Sequence, residues 1–333
     1  MSATTYATLS NHLVVAATVI YALACMAHLA QWAMSRHVGA PVEQKVLVGV
    51  GAGVGAGSSA PAEQLVERVD GPSDADSAAI DRSDAAGRVG VALTMLALLV
   101  LVAGDVFRAL AANRVPWGNM YEFACTGIAL ATVVYLVLVV MSHVQWLGSI
   151  FTAFAVVVLG MAGLFVYVPA GPLVPALDSY WLWLHVTAAA IAGGSFCVGA
   201  GASVLYLVKS RAERTTPADK RTGYLWRLPS SADMDRVAYR VHAFAFPVWT
   251  FAALIAGPIW AQYAWGKYWG WDPKEVWAFI TWVVYAGYLH ARATAGWRGR
   301  GAAIIALVGF ATFLFNFIGI NLFVSGLHSY AGV

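Results

Sequence analysis

Residues 263–282 read Tyr-Ala-Trp-Gly-Lys-Tyr-Trp-Gly-Trp-Asp-Pro-Lys-Glu-Val-Trp-Ala-Phe-Ile-Thr-Trp and hold five of the chain's fourteen tryptophans. Trp265, Trp269 and Trp271 alternate with Gly266 and Gly270, and Trp277 follows six residues after Trp271. Scattered tryptophans form an interfacial belt at the headgroup level of a bilayer. A concentrated run interleaved with glycine, where backbone can come close to a ligand, also makes a shelf for a large, flat, apolar molecule. Composition leaves belt and shelf open. The end of the run is better specified. Asp272 is placed as an N-cap, Pro273 at the first helical position and Glu275 at the third, close to a capping box. Capping alone accounts for Asp272 and Glu275, and it does not exclude a polar role beside a ligand.

Histidine supplies the second kind of chemistry. Of eight histidines, His185 lies in Trp181-Leu-Trp-Leu-His185 and His328 in Gly326-Leu-His-Ser-Tyr330. Intramembrane histidine is costly and usually meets a partner. A lone one is more often packed or interfacial than a ligand. Three distant segments, two with histidine and one rich in tryptophan, are expected on one side of the membrane, which favours ligation. Two neutral imidazoles can fill both axial positions of a haem iron while the shelf holds the macrocycle. His290 lies 17 residues after Pro273, roughly 26 Å along a helix at 1.5 Å per residue, beside Arg292 at the other membrane face. It could begin a transmembrane route or anchor at the interface.

These residues need a membrane scaffold. The 333 residues are 60% hydrophobic and 11% charged, against about 45–50% and about 25% in soluble domains. The apolar runs are long and unbroken, unlike the alternating segments of a membrane barrel. The fold class is therefore all-α, a polytopic integral membrane protein. Eight transmembrane helices are expected at 13–34, 89–111, 121–142, 147–168, 181–208, 241–262, 274–291 and 302–324. Cys25, Cys125 and Cys197 stand alone, with no Cys-x-x-Cys pair for thiol or zinc chemistry. The net charge of +3 is small and gives no reason to expect nucleic acid. The first apolar run follows an uncharged start, so no cleavable signal peptide is expected.

Basic residues crowd 35–88, 209–240 and 292–300, and are sparse in 112–120, 169–180, 263–273 and 325–333. The positive-inside rule puts the first group in the cytoplasm, and the second group and both termini outside. Domain organisation is then an N-terminal transmembrane helix (1–34), a flexible cytoplasmic insertion (35–88) and a membrane domain (89–333). The glycine-rich run 49–57 lacks the lysine of a phosphate loop and reads as linker.

Trp265-Gly-Lys-Tyr-Trp269-Gly-Trp271-Asp272-Pro-Lys-Glu275-Val-Trp277 resembles the "WWD" signature of haem-handling proteins. The closest resemblance is to the CcsA/ResC type of System II cytochrome c biogenesis. Asn119-Met-Tyr-Glu122, His185 in Leu-His-Val, His290 in Tyr-Leu-His-Ala-Arg and His328 in Gly-Leu-His-Ser-Tyr resemble further elements of that family, covering about 89–333. The resemblance implies a protein that works with a ResB/Ccs1-type partner. It implies that haem b is carried outward and presented to the Cys-x-x-Cys-His motif of apocytochrome c for thioether formation. It implies His185 and His328 as outer axial ligands, contacts to haem from Trp265, Trp269, Trp271, Asp272 and Trp277, and His290 as an intramembrane ligand. Two alternatives remain. One is a CcmC- or CcmF-like haem chaperone or exporter without ligation activity. The other is a membrane transporter unrelated to haem.

Overall fold

The computed structural model describes residues 2–36, 38, 74–172, 175–294 and 296–328. Eleven α-helices follow in order among them: α1 (Ala3–Met34), α2 (Asp74–Ala112), α3 (Met120–Ser142), α4 (Gly148–Phe165), α5 (Tyr180–Thr215), α6 (Tyr224–Arg227), α7 (Ser231–Thr250), α8 (Gly257–Trp265), α9 (Pro273–Thr294), α10 (Arg300–Leu314) and α11 (Ile320–Phe323). A π-helical turn, Phe251–Ala256, joins α7 to α8, and another, Phe315–Gly319, joins α10 to α11. Eight long rods result. Seven are long and apolar enough to cross a membrane. The remaining rod, α9, falls short because Trp277, Thr281, Trp282, Tyr285, Tyr288 and His290 dilute its apolar run.

Several rods are longer than the expected spans. Helix α5 continues to Thr215 and α7 begins at Ser231, because the polar residues flanking each apolar core extend the helix beyond bilayer thickness. Helix α2 begins at Asp74, so the last part of the segment expected as insertion, 74–88, is helical. It is also tied down. Arg227 reaches Asp84 at 2.8 Å, Ser35 at 3.0 Å and Ser83 at 3.1 Å, joining α6 to the ends of α1 and α2. The glycine-rich run 49–57 lies outside the described residues.

Helix α5 is the hub, packing on α3, α4, α7, α8 and α10. Its small-residue stretch from Ala192 to Ser203 is almost wholly buried, as close helix packing in membranes favours. A Cβ on Gly194 would come within 2.6 Å of the Ala131 Cα, so the α3–α5 crossing needs glycine there. Phe196 stacks on Tyr285 of α9 at 3.9 Å with planes 3° apart. At the far end of α9, Arg292 grips Asp235 of α7 through two bonds of 2.7 and 3.0 Å. These contacts hold α9 rigidly, and its N-terminus carries the tryptophan-rich segment.

Candidate functional site

The π-helical turn is the first element that shapes the site. Pro258, just inside α8, has no N–H to donate and would clash with the preceding turn of a regular helix. The chain widens instead, and the Gly257 N–H bonds the Ala252 carbonyl. That carbonyl also lies 2.9 Å from His185 Nδ1. A carbonyl can only accept, so Nδ1 carries the proton and the lone pair of His185 sits on Nε2. A Cβ on Gly257 would lie 3.1 Å from His185 Nδ1, so a side chain there would press on the ring. Trp260, one turn further, is 2% exposed and stacks on His185 at 5.9 Å with planes 12° apart.

Asp272 anchors the second histidine. Its Oδ1 caps α9 by accepting the Lys274 N–H at 3.0 Å, while Glu275 Oε2 accepts the Asp272 N–H at 3.1 Å and the Gly270 N–H at 2.8 Å. This is the capping arrangement that the sequence implies. The same carboxylate does more: Oδ1 lies 2.8 Å from His328 Nδ1, and Oδ2 accepts the Leu327 N–H at 2.6 Å. Burial alone would raise the Asp272 carboxyl. The bonds from His328, Leu327 and Lys274 outweigh it and hold the pKa down at about 2. Burial lowers His328 below its usual 6.5 even against that carboxylate. The pair is therefore an ionised Asp272 accepting a proton held on a neutral His328, again with the lone pair on Nε2.

Both histidines line one cavity. Trp265 packs edge-on against His328 at 4.8 Å, and Trp260 touches both His328, at 5.7 Å, and Trp265, at 4.8 Å. Trp269, Lys274, Glu275, Asn316 and Asn321 share the wall, and the cavity continues inward between α3, α5 and α10 along Gly127, Ala131, Gly193 and Phe313. Its lining is overwhelmingly apolar. Two neutral imidazoles, each fixed through Nδ1, beside indole faces and an apolar slot form a donor set suited to an iron porphyrin.

The other residues singled out from sequence lie apart from this cavity. Trp271 is 69% exposed, with φ +56°, and meets Trp269 edge-on at 5.8 Å. Trp277 packs on Phe315 at 4.3 Å, supporting the π-helical turn from behind. His290 is exposed near the C-terminal end of α9, the end away from His185 and His328. Sequence reasoning missed Trp260, Gly257 and Lys274. The signal for the first two was Gly257-Pro258 inside an apolar run, which marks an irregular helix. Trp260 itself looks like any belt tryptophan.

A buried charge cluster braces α3 beside the cavity. Glu122, wholly buried, meets Arg108 at 2.9 Å, Arg114 at 2.7 Å and the Gly118 N–H at 2.6 Å, with Asn119 capping the helix. Met120 and Phe123, on the same turn, line the cavity.

A family profile described as "Cytochrome C assembly protein" matches residues 117–328. The cytochrome c biogenesis protein CcsA of Chlamydomonas reinhardtii is 36% identical over 73% of this chain and 67% of that protein. CcsA proteins of Synechococcus elongatus and Gloeothece citriformis are 36% and 32% identical, each over 74% of this chain and 87% of the relative. Among solved structures, the cytochrome c heme lyase CcmF matches with a TM-score of 0.60 and 15% identity. That match covers 95% of this chain and 47% of CcmF, so the chain spans about half its length. At that identity the likeness is one of fold.

Proposed function

The chain belongs to the cytochrome c assembly protein family, and from that premise we propose that it is the haem-handling subunit of a System II cytochrome c synthase. It takes haem b across the membrane and presents it outside to the Cys-x-x-Cys-His motif of apocytochrome c, working with a ResB/Ccs1-type partner. The observation that carries this is the shared cavity of His185 and His328, each anchored through Nδ1.

In this reading His185 and His328 supply the two axial nitrogens through Nε2. The carbonyl of Ala252 and the carboxylate of Asp272 fix ring orientation and raise donor strength. Trp260, Trp265 and Trp269 exclude water and hold the ring plane. Thioether formation adds each S–H across a vinyl C=C with no atom lost, so the task of this chain is proximity and orientation, an effect able to supply a large share of a barrier. The histidine of the incoming motif would take the place of His185 or His328 as the product leaves. His290 belongs to an earlier, inner station, and its exposure supports a ligand set completed by the partner.

Co-expression with the partner and an apocytochrome carrying Cys-x-x-Cys-His tests the proposal. Covalent haem on the cytochrome is the expected result. Haem bound by the complex with no covalent product would favour the second reading, a haem chaperone or exporter without ligation activity.

A further inference from the structure

The cavity wall carries polar groups that iron ligation leaves unused. Lys274 is in the first turn of α9, and its Nζ donates to Asn321 Oδ1 at 2.8 Å. Asn321 is oriented in turn by its Nδ2 bond to the Phe317 carbonyl. Asn316, on the intervening π-helical turn, is 5% exposed, and its Oδ1 has no hydrogen-bond partner among the described residues. All three line the cavity that His185 and His328 share.

Among the described residues, no carboxylate lies within ion-pair distance of Lys274 Nζ, although the Asp272 carboxylate two residues away favours its charged form. The adjacent acids are engaged elsewhere: Asp272 with His328 and two backbone N–H groups, Glu275 with the N–H groups of Gly270 and Asp272. An ammonium in an apolar wall whose direct hydrogen-bond partner is a neutral amide is costly, and a carboxylate would satisfy it by a charge-assisted bond. Asn316 can offer either its oxygen or, after an amide flip, its Nδ2 donors.

We infer that Lys274, Asn321 and Asn316 form a subsite for the propionate carboxylates of the porphyrin. The inference rests on the haem reading above and extends it. Holding the propionate edge at the start of α9 fixes the macrocycle's rotation about the axial bond and thus decides which edge presents the vinyl groups.

The test is a titration of the purified full-length chain with ferric protoporphyrin IX and, separately, with its dimethyl ester, which keeps iron and vinyls but lacks the acids. Wild type should bind the free acid about tenfold more tightly than the ester, the scale of one charge-assisted bond. Lys274→Met should lose that preference by weakening free-acid binding alone, while Lys274→Arg keeps it and Asn316→Ala reduces it. Equal binding of acid and ester by wild type would overturn the subsite, and this comparison needs no variant to fold. Preference retained in a well-folded Lys274→Met would also overturn it. Absence of any Soret shift with either compound would instead remove the haem reading, and the subsite with it.

Discussion

His328, beyond the last helix, is held by the residue that starts α9: its Nδ1 lies 2.8 Å from Asp272 Oδ1. One carboxylate thereby caps a helix, pins the Leu327 backbone and sets the tautomer of a histidine 56 residues away. The same logic operates at His185, where a carbonyl exposed by a π-helical turn replaces the carboxylate.

Asp272→Ala should therefore cost haem affinity about 10- to 100-fold, the range for lost outer-shell partners of a metal ligand. Asp272→Asn keeps an acceptor but lacks the charge. It should retain haem and shift the reduction potential upward. Haem titration and redox potentiometry on both variants measure this, and unchanged values would detach Asp272 from His328.

Gly257→Ala should displace the His185 ring, because the new methyl would sit 3.1 Å from Nδ1 and 3.2 Å from Cε1. The expected result is a lower haem-to-protein ratio with an altered Soret band, more severe for Gly257→Val. A normal spectrum in Gly257→Val would show that the slot has room to spare.

Acid should release haem only below the ordinary histidine range. His328 is neutral at pH 7, its pKa lowered by burial from 6.5, while Asp272, at about 2, stays ionised. As pH falls below about 6.5 the unfolded chain takes up the histidine proton first, so this residue's contribution to stability declines. Axial ligation is lost once the folded-state group also protonates. The spectrum should stay constant from pH 8 down to the ordinary histidine value of about 6.5 and change only at lower pH. A transition above pH 7 would contradict a buried neutral imidazole.

Glu122→Gln should destabilise the scaffold rather than alter ligation. Breaking a buried pair leaves charge uncompensated, at a cost of roughly 3–5 kcal/mol. Here two guanidinium groups would face a neutral amide. Size-exclusion profiles after heating should show earlier aggregation, while any folded fraction keeps its haem spectrum.

Much of this was legible in the sequence because membrane physics writes itself in composition. Long apolar runs fix the helices, and Asp272-Pro273-Lys274-Glu275 spells a helix start that the structure contains. The tryptophan run marked the right place, yet spacing did not tell which indoles face the cavity. Trp265 and Trp269 do. Trp271 is exposed, and Trp277 buttresses Phe315. The first π-helical turn was marked only by Gly257-Pro258, and the second, in the crowded wall around Phe315, left no local pattern. Trp260 joins the cavity just after the first of these turns, and Lys274 joins it from the first turn of α9. The start of α2 at Asp74 was hidden in a polar stretch, which Arg227 ties to α6 through Asp84.

The central claim is that His185 and His328 together hold one haem iron, and the most direct measurement is low-temperature electron paramagnetic resonance of the ferric protein purified with its partner. A low-spin, bis-imidazole signal from the His185–His328 site is expected in wild type. That signal should be lost in His185→Ala and in His328→Ala and partly restored by added imidazole, while His290→Ala lowers total haem loading and leaves the signal type of that site intact. An unchanged low-spin signal and haem content in all three variants would contradict it.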